Sequence, residues 1–183
     1  MFHGMHVELP VNSDRLILQG WINVSRLILQ DGKMHKNLKI GCIGLGVMGA
    51  PMCRHLLAAG YPASVYNRSR HRAEPLLQAG ARWCDSPRDV AADADVIFTM
   101  VGTGREVRDV YFSETGLFGS NIEGKLFVDM GTTAPSLSAE IAAYCDQHDA
   151  ACIDAPVSGG DIGARAATLS IMAGGRDRDI EKV

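Results

Sequence analysis

The chain has 183 residues, 46% of them hydrophobic and 21% charged, which suits one globular domain with an appendage. The net charge is −3 and no basic stripe is present, so a nucleic-acid partner has no electrostatic support. No run of about 18 apolar residues is available to span a membrane. Cys42, Cys53, Cys84, Cys145 and Cys152 include no Cys-x-x-Cys pair, so they read as reduced, mostly buried thiols of a cytoplasmic protein and not as a metal site.

Residues 1–37 read as an N-terminal extension. Arg15-Leu16-Ile17-Leu18-Gln19 recurs eleven residues later as Arg26-Leu27-Ile28-Leu29-Gln30. On a helix that spacing is about three turns, so both copies would share one face. Glu8 and Asp14 interrupt any secretory apolar stretch. Two readings stay open: an over-extended start with translation beginning at Met34, or a packing or oligomerisation arm.

From Leu38 the pattern sharpens. Leu38–Ile43 predicts a buried strand, Gly44-Leu45-Gly46-Val47-Met48-Gly49 a turn, Pro51–Ala59 a helix stopped by Gly60, and Ala63–Tyr66 a second strand. Strand, Gly-x-Gly-x-x-Gly, helix and strand in this order form the dinucleotide-binding unit. Gly44 permits the tight turn, Gly46 leaves room for a pyrophosphate, and Gly49 lets the helix approach the sheet. The helix N-terminus then offers amide N–H groups and the positive end of its dipole to the phosphates.

An acidic residue after the second strand binds the ribose 2′-hydroxyl in an NAD site. Here that stretch is Asn67-Arg68-Ser69-Arg70. It holds no carboxylate to repel a 2′-phosphate. Arg68 can give a charge-assisted contact, and Asn67 and Ser69 can add neutral hydrogen bonds. The pattern favours NADP; the alternative is a solvated Arg68 and a site that accepts NAD as well.

Further strands are expected at Ala81–Cys84, Asp95–Val101, Lys125–Met130 and Ala151–Asp154. Ser86 and Pro87 start one helix, and Pro135–His148 forms another. Gly102-Thr103-Gly104 leaves the fourth strand at its carboxyl end, where open α/β sheets place ligands. The alternation implies an α/β fold: a doubly wound, mostly parallel Rossmann-type sheet with helices on both faces.

Four motifs within residues 38–175 together resemble the β-hydroxyacid dehydrogenase family, which includes 3-hydroxyisobutyrate dehydrogenase and tartronate semialdehyde reductase. They are Ile40–Gly49 with Met52, Tyr66–Ser69, Val128–Pro135, and Asp154–Gly160 continued by Thr168–Gly175. The resemblance implies hydride transfer between NADP(H) and a short β-hydroxyacid or its semialdehyde. It implies cofactor contacts at Gly44, Leu45, Gly46, Val47, Met48, Gly49, Asn67, Arg68, Ser69, Val101, Gly102 and Thr132. It also implies that Ser158, Gly159 and Gly160 receive a substrate carboxylate, since two glycines after a serine can form a nest of backbone N–H groups. For Thr132, capping ahead of Pro135 is a coexisting role.

The sequence departs from the family at two places. Gly131 stands where many members have serine, and Ala167 stands where glycine usually precedes the Thr-Leu pair. The family's general acid/base is a lysine in a Gly-x-x-x-Lys-x-x-Asn pattern on a later helix. Lys33, Lys36, Lys39, Lys125 and Lys182 lack those neighbours. No catalytic residue is therefore assigned in this chain; the lysine is expected beyond Val183. Residues 38–183 are read as a domain cut before the family's C-terminal helical domain, inactive alone and homo-oligomeric at full length. Alternatives are an imine reductase-like enzyme and a non-catalytic dinucleotide-binding or oligomerisation module. The histidines, among them His55 and His71, are expected to be structural or solvated.

Overall fold

The structure is a computed structural model, and it describes residues 15–19, 29–30, 33–34 and 38–180. In chain order its strands are β1 (Arg15–Gln19), β2 (Leu29–Gln30), β3 (Lys33–Met34), β4 (Ile40–Ile43), β5 (Ala63–Tyr66), β6 (Arg82–Trp83), β7 (Val96–Thr99), β8 (Leu126–Asp129), β9 (Ala151–Asp154), β10 (Val157–Ser158) and β11 (Ser170–Gly174). Its helices are α1 (Gly49–Ala58), α2 (Glu74–Gln78), α3 (Pro87–Asp93), α4 (Gly104–Phe112), α5 (Pro135–Gln147), α6 (Gly160–Ala166) and α7 (Asp177–Ile180).

The main sheet runs β1-β11-β9-β8-β7-β4-β5-β6, with β10 also paired to β11. From β6 to β9 every pairing is parallel. Numbered along the chain, these parallel strands lie in the order 3-2-1-4-5-6, the doubly wound Rossmann arrangement. The winding reverses between β4 and β7, and the carboxyl ends of that pair open a crevice for a ligand.

Both faces of the sheet are buried, so its strands read as continuous apolar runs. Alternate residues enter two cores. Ile40, Cys42, Phe98, Val128 and Ile153 pack with Met52, Leu56 and Leu76 of α1 and α2. Ile43, Ile97 and Phe127 pack with Val90, Val107, Tyr111 and Ile141 of α3, α4 and α5. Helix starts follow the expected chemistry: Ser86 Oγ accepts from the Asp89 N–H at 3.1 Å, with Pro87 in the first turn.

One expectation is corrected. The first copy of the Arg-Leu-Ile-Leu-Gln repeat is not helical; it is β1, antiparallel to β11 from Arg15↔Gly174 to Gln19↔Ser170. Strand β11 has β9 and β10 on its other pairings, and the open row of backbone donors and acceptors on its outer edge favours a strand over a helix there. Of the second copy, Leu29–Gln30 forms β2 and pairs with β3; Arg26–Ile28 lie outside the described residues.

Candidate dinucleotide site

The glycine loop begins where β4 ends. Gly44 has φ +90°, and a Cβ there would overlap the Met100 carbonyl at the exit of β7. Gly49 is the first residue of α1, and a Cβ on it would overlap the Gly44 carbonyl oxygen. The turn therefore closes only with both side chains absent. Gly46 differs: the nearest atom to a Cβ there is Arg72 Nη1, at 4.0 Å. Its missing side chain keeps open space clear, as required of a position that a phosphate approaches. Leu45 is buried in the core, Met48 packs against it, and Val47 is exposed. Of these, Leu45 has only its backbone to offer a ligand.

A cavity of about 460 Å³ runs from Gly44 and Gly46 past the end of β5 to Val101, Gly102 and α4. Its size falls within the usual range of small-molecule sites. Asn67, Arg68 and Ser69 line it, as do Val101 and Gly102. Asn67 accepts the Leu45 N–H at 2.9 Å through Oδ1 and donates to the Ser69 carbonyl at 3.1 Å. It thus ties the glycine loop to the exit of β5. Arg68 extends into solvent, its side chain 86% exposed, and Nη1 lies 3.3 Å from Glu106 Oε1.

Three functional candidates escaped the sequence. Arg72, in the 3-10 turn Arg70–Ala73, lines the cavity beside Gly46. Glu106, in the first turn of α4, faces Arg68 across the cavity wall. The third, Asp129, is buried at the end of β8. Its Oδ1 accepts from Thr99 Oγ1 at 2.8 Å and from the Gly131 N–H at 3.3 Å, and its Oδ2 accepts from Thr133 Oγ1 at 2.6 Å. One carboxylate therefore pins the loop that carries Thr132, which is exposed and does not line the 460 Å³ cavity. Tyr111, buried 3.2 Å from Thr99 Oγ1, has its phenol pushed well above the ordinary range by burial and then by the Asp129 charge. A Cβ on Gly131 would stand 3.0 Å from the Val101 carbonyl oxygen, so a serine at this position would require the Val101 loop to give way.

Ser158, Gly159 and Gly160 are contiguous and exposed, apart from the cavity, where β10 passes into α6. Gly159 (φ +126°) and Gly160 (φ +60°) both need glycine's freedom. A Cβ on Gly159 would also sit 3.2 Å from Leu169 Cδ2, which gives that glycine a packing reason too. Ala167 ends α6 at φ 57°, ψ 38°, a left-handed conformation that glycine adopts at lower cost.

The lysines, histidines and thiols among the described residues do not line the 460 Å³ cavity. Lys39 and Lys125 precede β4 and β8, at the end of the sheet opposite the crevice; Lys39 faces Asp93 and Lys125 donates to the Ala94 carbonyl at 2.7 Å. His55 Nε2 lies 3.0 Å from the Ala164 carbonyl, linking α1 to α6, and His71 is exposed in the 3-10 turn. The thiol of Cys42 is pushed up by its hydrogen bond with Cys53 and by burial, and that of Cys152 by its hydrogen bond with Cys145 and by burial. Among the described residues no helix is long and apolar enough to cross a membrane, and no His/Cys/Asp/Glu group could hold a metal.

Comparison with known proteins finds relatives of this chain in sequence and in fold. Residues 39–183 match the family described as the NAD binding domain of 6-phosphogluconate dehydrogenase. The chain is 47% identical over 142 residues to an uncharacterized oxidoreductase, YkwC, of Bacillus subtilis, covering 78% of this chain and 49% of that protein. It is 45% identical over 148 residues to a probable 3-hydroxyisobutyrate dehydrogenase-like protein of Arabidopsis thaliana, covering 80% of this chain and 44% of that protein. A solved structure of Psf3 in complex with NADP+ and 2-OPP superposes with a TM-score of 0.70 at 35% identity, covering 78% of this chain and 53% of the other. The chain thus spans about half the length of the curated relatives it matches. It belongs to the family of the NAD-binding domain of 6-phosphogluconate dehydrogenase.

Proposed function

We propose that this chain is the dinucleotide-binding part of an oxidoreductase that moves a hydride between NADP(H) and a short β-hydroxyacid or its semialdehyde. The observation that carries the reading is Gly46. It alone of the three motif glycines faces open space, with a guanidinium beside it and a cavity leading from it to Arg68. The 3-hydroxyisobutyrate dehydrogenase-like relative supports the substrate class, and the NADP+ complex supports the cofactor.

The bound dinucleotide would supply the hydride; the residues here hold and orient it. Backbone N–H groups at the start of α1 and the Arg72 guanidinium receive the pyrophosphate. Arg68, with Ser69, receives the ribose 2′-phosphate. Val101 and Gly102 border the cofactor at the exit of β7, and Asp129 holds the loop that brings Thr132 to the nicotinamide ribose. Ser158, Gly159 and Gly160 offer donors to the substrate carboxylate. The proton is handled by a group other than Lys39 and Lys125, which lie at the opposite end of the sheet, and the whole protein works as a homo-oligomer. Five free thiols fit a reducing compartment such as the cytoplasm.

Isothermal titration of the chain with NADPH and NADH tests the reading. NADPH is expected to bind more tightly than NADH. Heat exchanged with neither cofactor would refute it.

A further inference from the structure

A carboxylate stands where the sequence shows none. The stretch after β5 is free of acids, yet α4 brings Glu106 to 3.3 Å from Arg68 Nη1. Both residues line the same cavity. The Glu106 carboxylate is held from its own side: Thr103 Oγ1 donates to Oε2 at 3.1 Å, and Thr103 caps the helix by accepting the Glu106 N–H at 3.3 Å. Gly102, at the exit of β7, lies directly beside this carboxylate: a Cβ there would be in ordinary contact with Oε2, at 3.4 Å. The contact from Arg68 is single and long, made by a side chain that is 86% exposed. A pair of this kind is weak and yields to a better anion.

We infer that Glu106 is a specificity-determining residue: an internal competitor for Arg68 that holds down the preference of the site for a 2′-phosphate. The inference rests on the cofactor reading above. A 2′-phosphate reaching Arg68 must share the guanidinium with Glu106 or displace it, and in either case two like charges come within a few ångströms of each other. A 2′-hydroxyl brings no such charge, and a carboxylate at that distance can accept its hydrogen bond. The site accordingly admits NADP without excluding NAD, with Glu106 in the part that the strand end usually plays.

Isothermal titration with NADPH and NADH, and with the adenosine-half probes 2′,5′-ADP and 5′-AMP, tests this on wild type, Glu106→Gln, Arg68→Gln and the double variant. Glu106→Gln is expected to tighten NADPH and 2′,5′-ADP by about three- to tenfold, from Coulomb repulsion at surface dielectric with salt screening. NADH and 5′-AMP are expected to stay unchanged or weaken, and the gain should shrink in the Arg68→Gln background. Equal shifts for both cofactors, weaker NADPH binding, or an undiminished gain without Arg68 would each overturn the inference and leave the cofactor reading standing. A wild type that binds no probe would overturn both.

Discussion

The glycine loop after β4 and the segment from Ser158 to Leu169 are both glycine-dependent, for different reasons. In the first, a Cβ on Gly44 or Gly49 would overlap the backbone carbonyls of Met100 and Gly44, in the turns that leave β7 and β4. In the second, the demand is mainly conformational: Gly159, Gly160 and Ala167 all have positive φ, as Gly44 does in the first, and around Gly160 there is open space, while Gly159 also abuts Leu169. Crowding leaves the first region no room for side chains at Gly44 and Gly49. The second carries strain at Ala167 and presents three exposed residues. The contrast teaches that one site is built into the sheet and the other is hung on its antiparallel margin.

The sharpest attempt to break this contrast is Gly49→Ala. Its methyl would meet a main-chain oxygen, so a loss of about 3 kcal/mol in urea denaturation is expected, together with loss of cofactor binding. A stable, binding-competent variant would remove the crowding argument. Asp129→Ala comes next, at about 2 kcal/mol, because it leaves the Thr99 and Thr133 hydroxyls and the Gly131 N–H without their acceptor. Denaturation midpoints measure it, and a neutral result would mean that this loop holds itself.

Arg72→Ala should weaken NADPH and NADH alike by about tenfold, equivalent to about 1.4 kcal/mol, as the loss of a charge-assisted contact to a shared pyrophosphate requires. Loss confined to NADPH would move Arg72 to the ribose phosphate instead. The smallest effect is a gain. Ala167→Gly should stabilise the fold by about 1 kcal/mol by relieving a left-handed alanine, read as a rise in thermal midpoint. Destabilisation there would show that the second region is not under conformational strain.

Much of the parallel core was legible in the sequence because its signals are local. A buried strand, a glycine turn and a helix follow within one stretch from Ile40 to Ala58, and each next strand announces itself as a short apolar run between turn residues. The extension was misread because an eleven-residue echo suits a helix by periodicity alone. Nothing in Arg15–Gln19 reveals that β11, more than 150 positions along the chain, has an edge to cover. Asn67 was a candidate from the sequence, yet its use of both amide ends to clamp the loop depends on where Leu45 and Ser69 come to rest.

By itself the sequence determined what neighbours along the chain can determine: the strand-and-helix alternation, the glycine turn at Gly44, Gly46 and Gly49, and the absence of an acid after β5. Only the tertiary structure decided which distant charges meet. Glu106 reaches Arg68 across 38 positions, and Asp129 reaches Thr99 across 30, because parallel β-α-β winding carries the ends of β5, β7 and β8 to one rim of the sheet. Electrostatic and hydrogen-bond energies depend on distance in space. A motif read along the chain supplies the groups, and the crossover connections supply their separation.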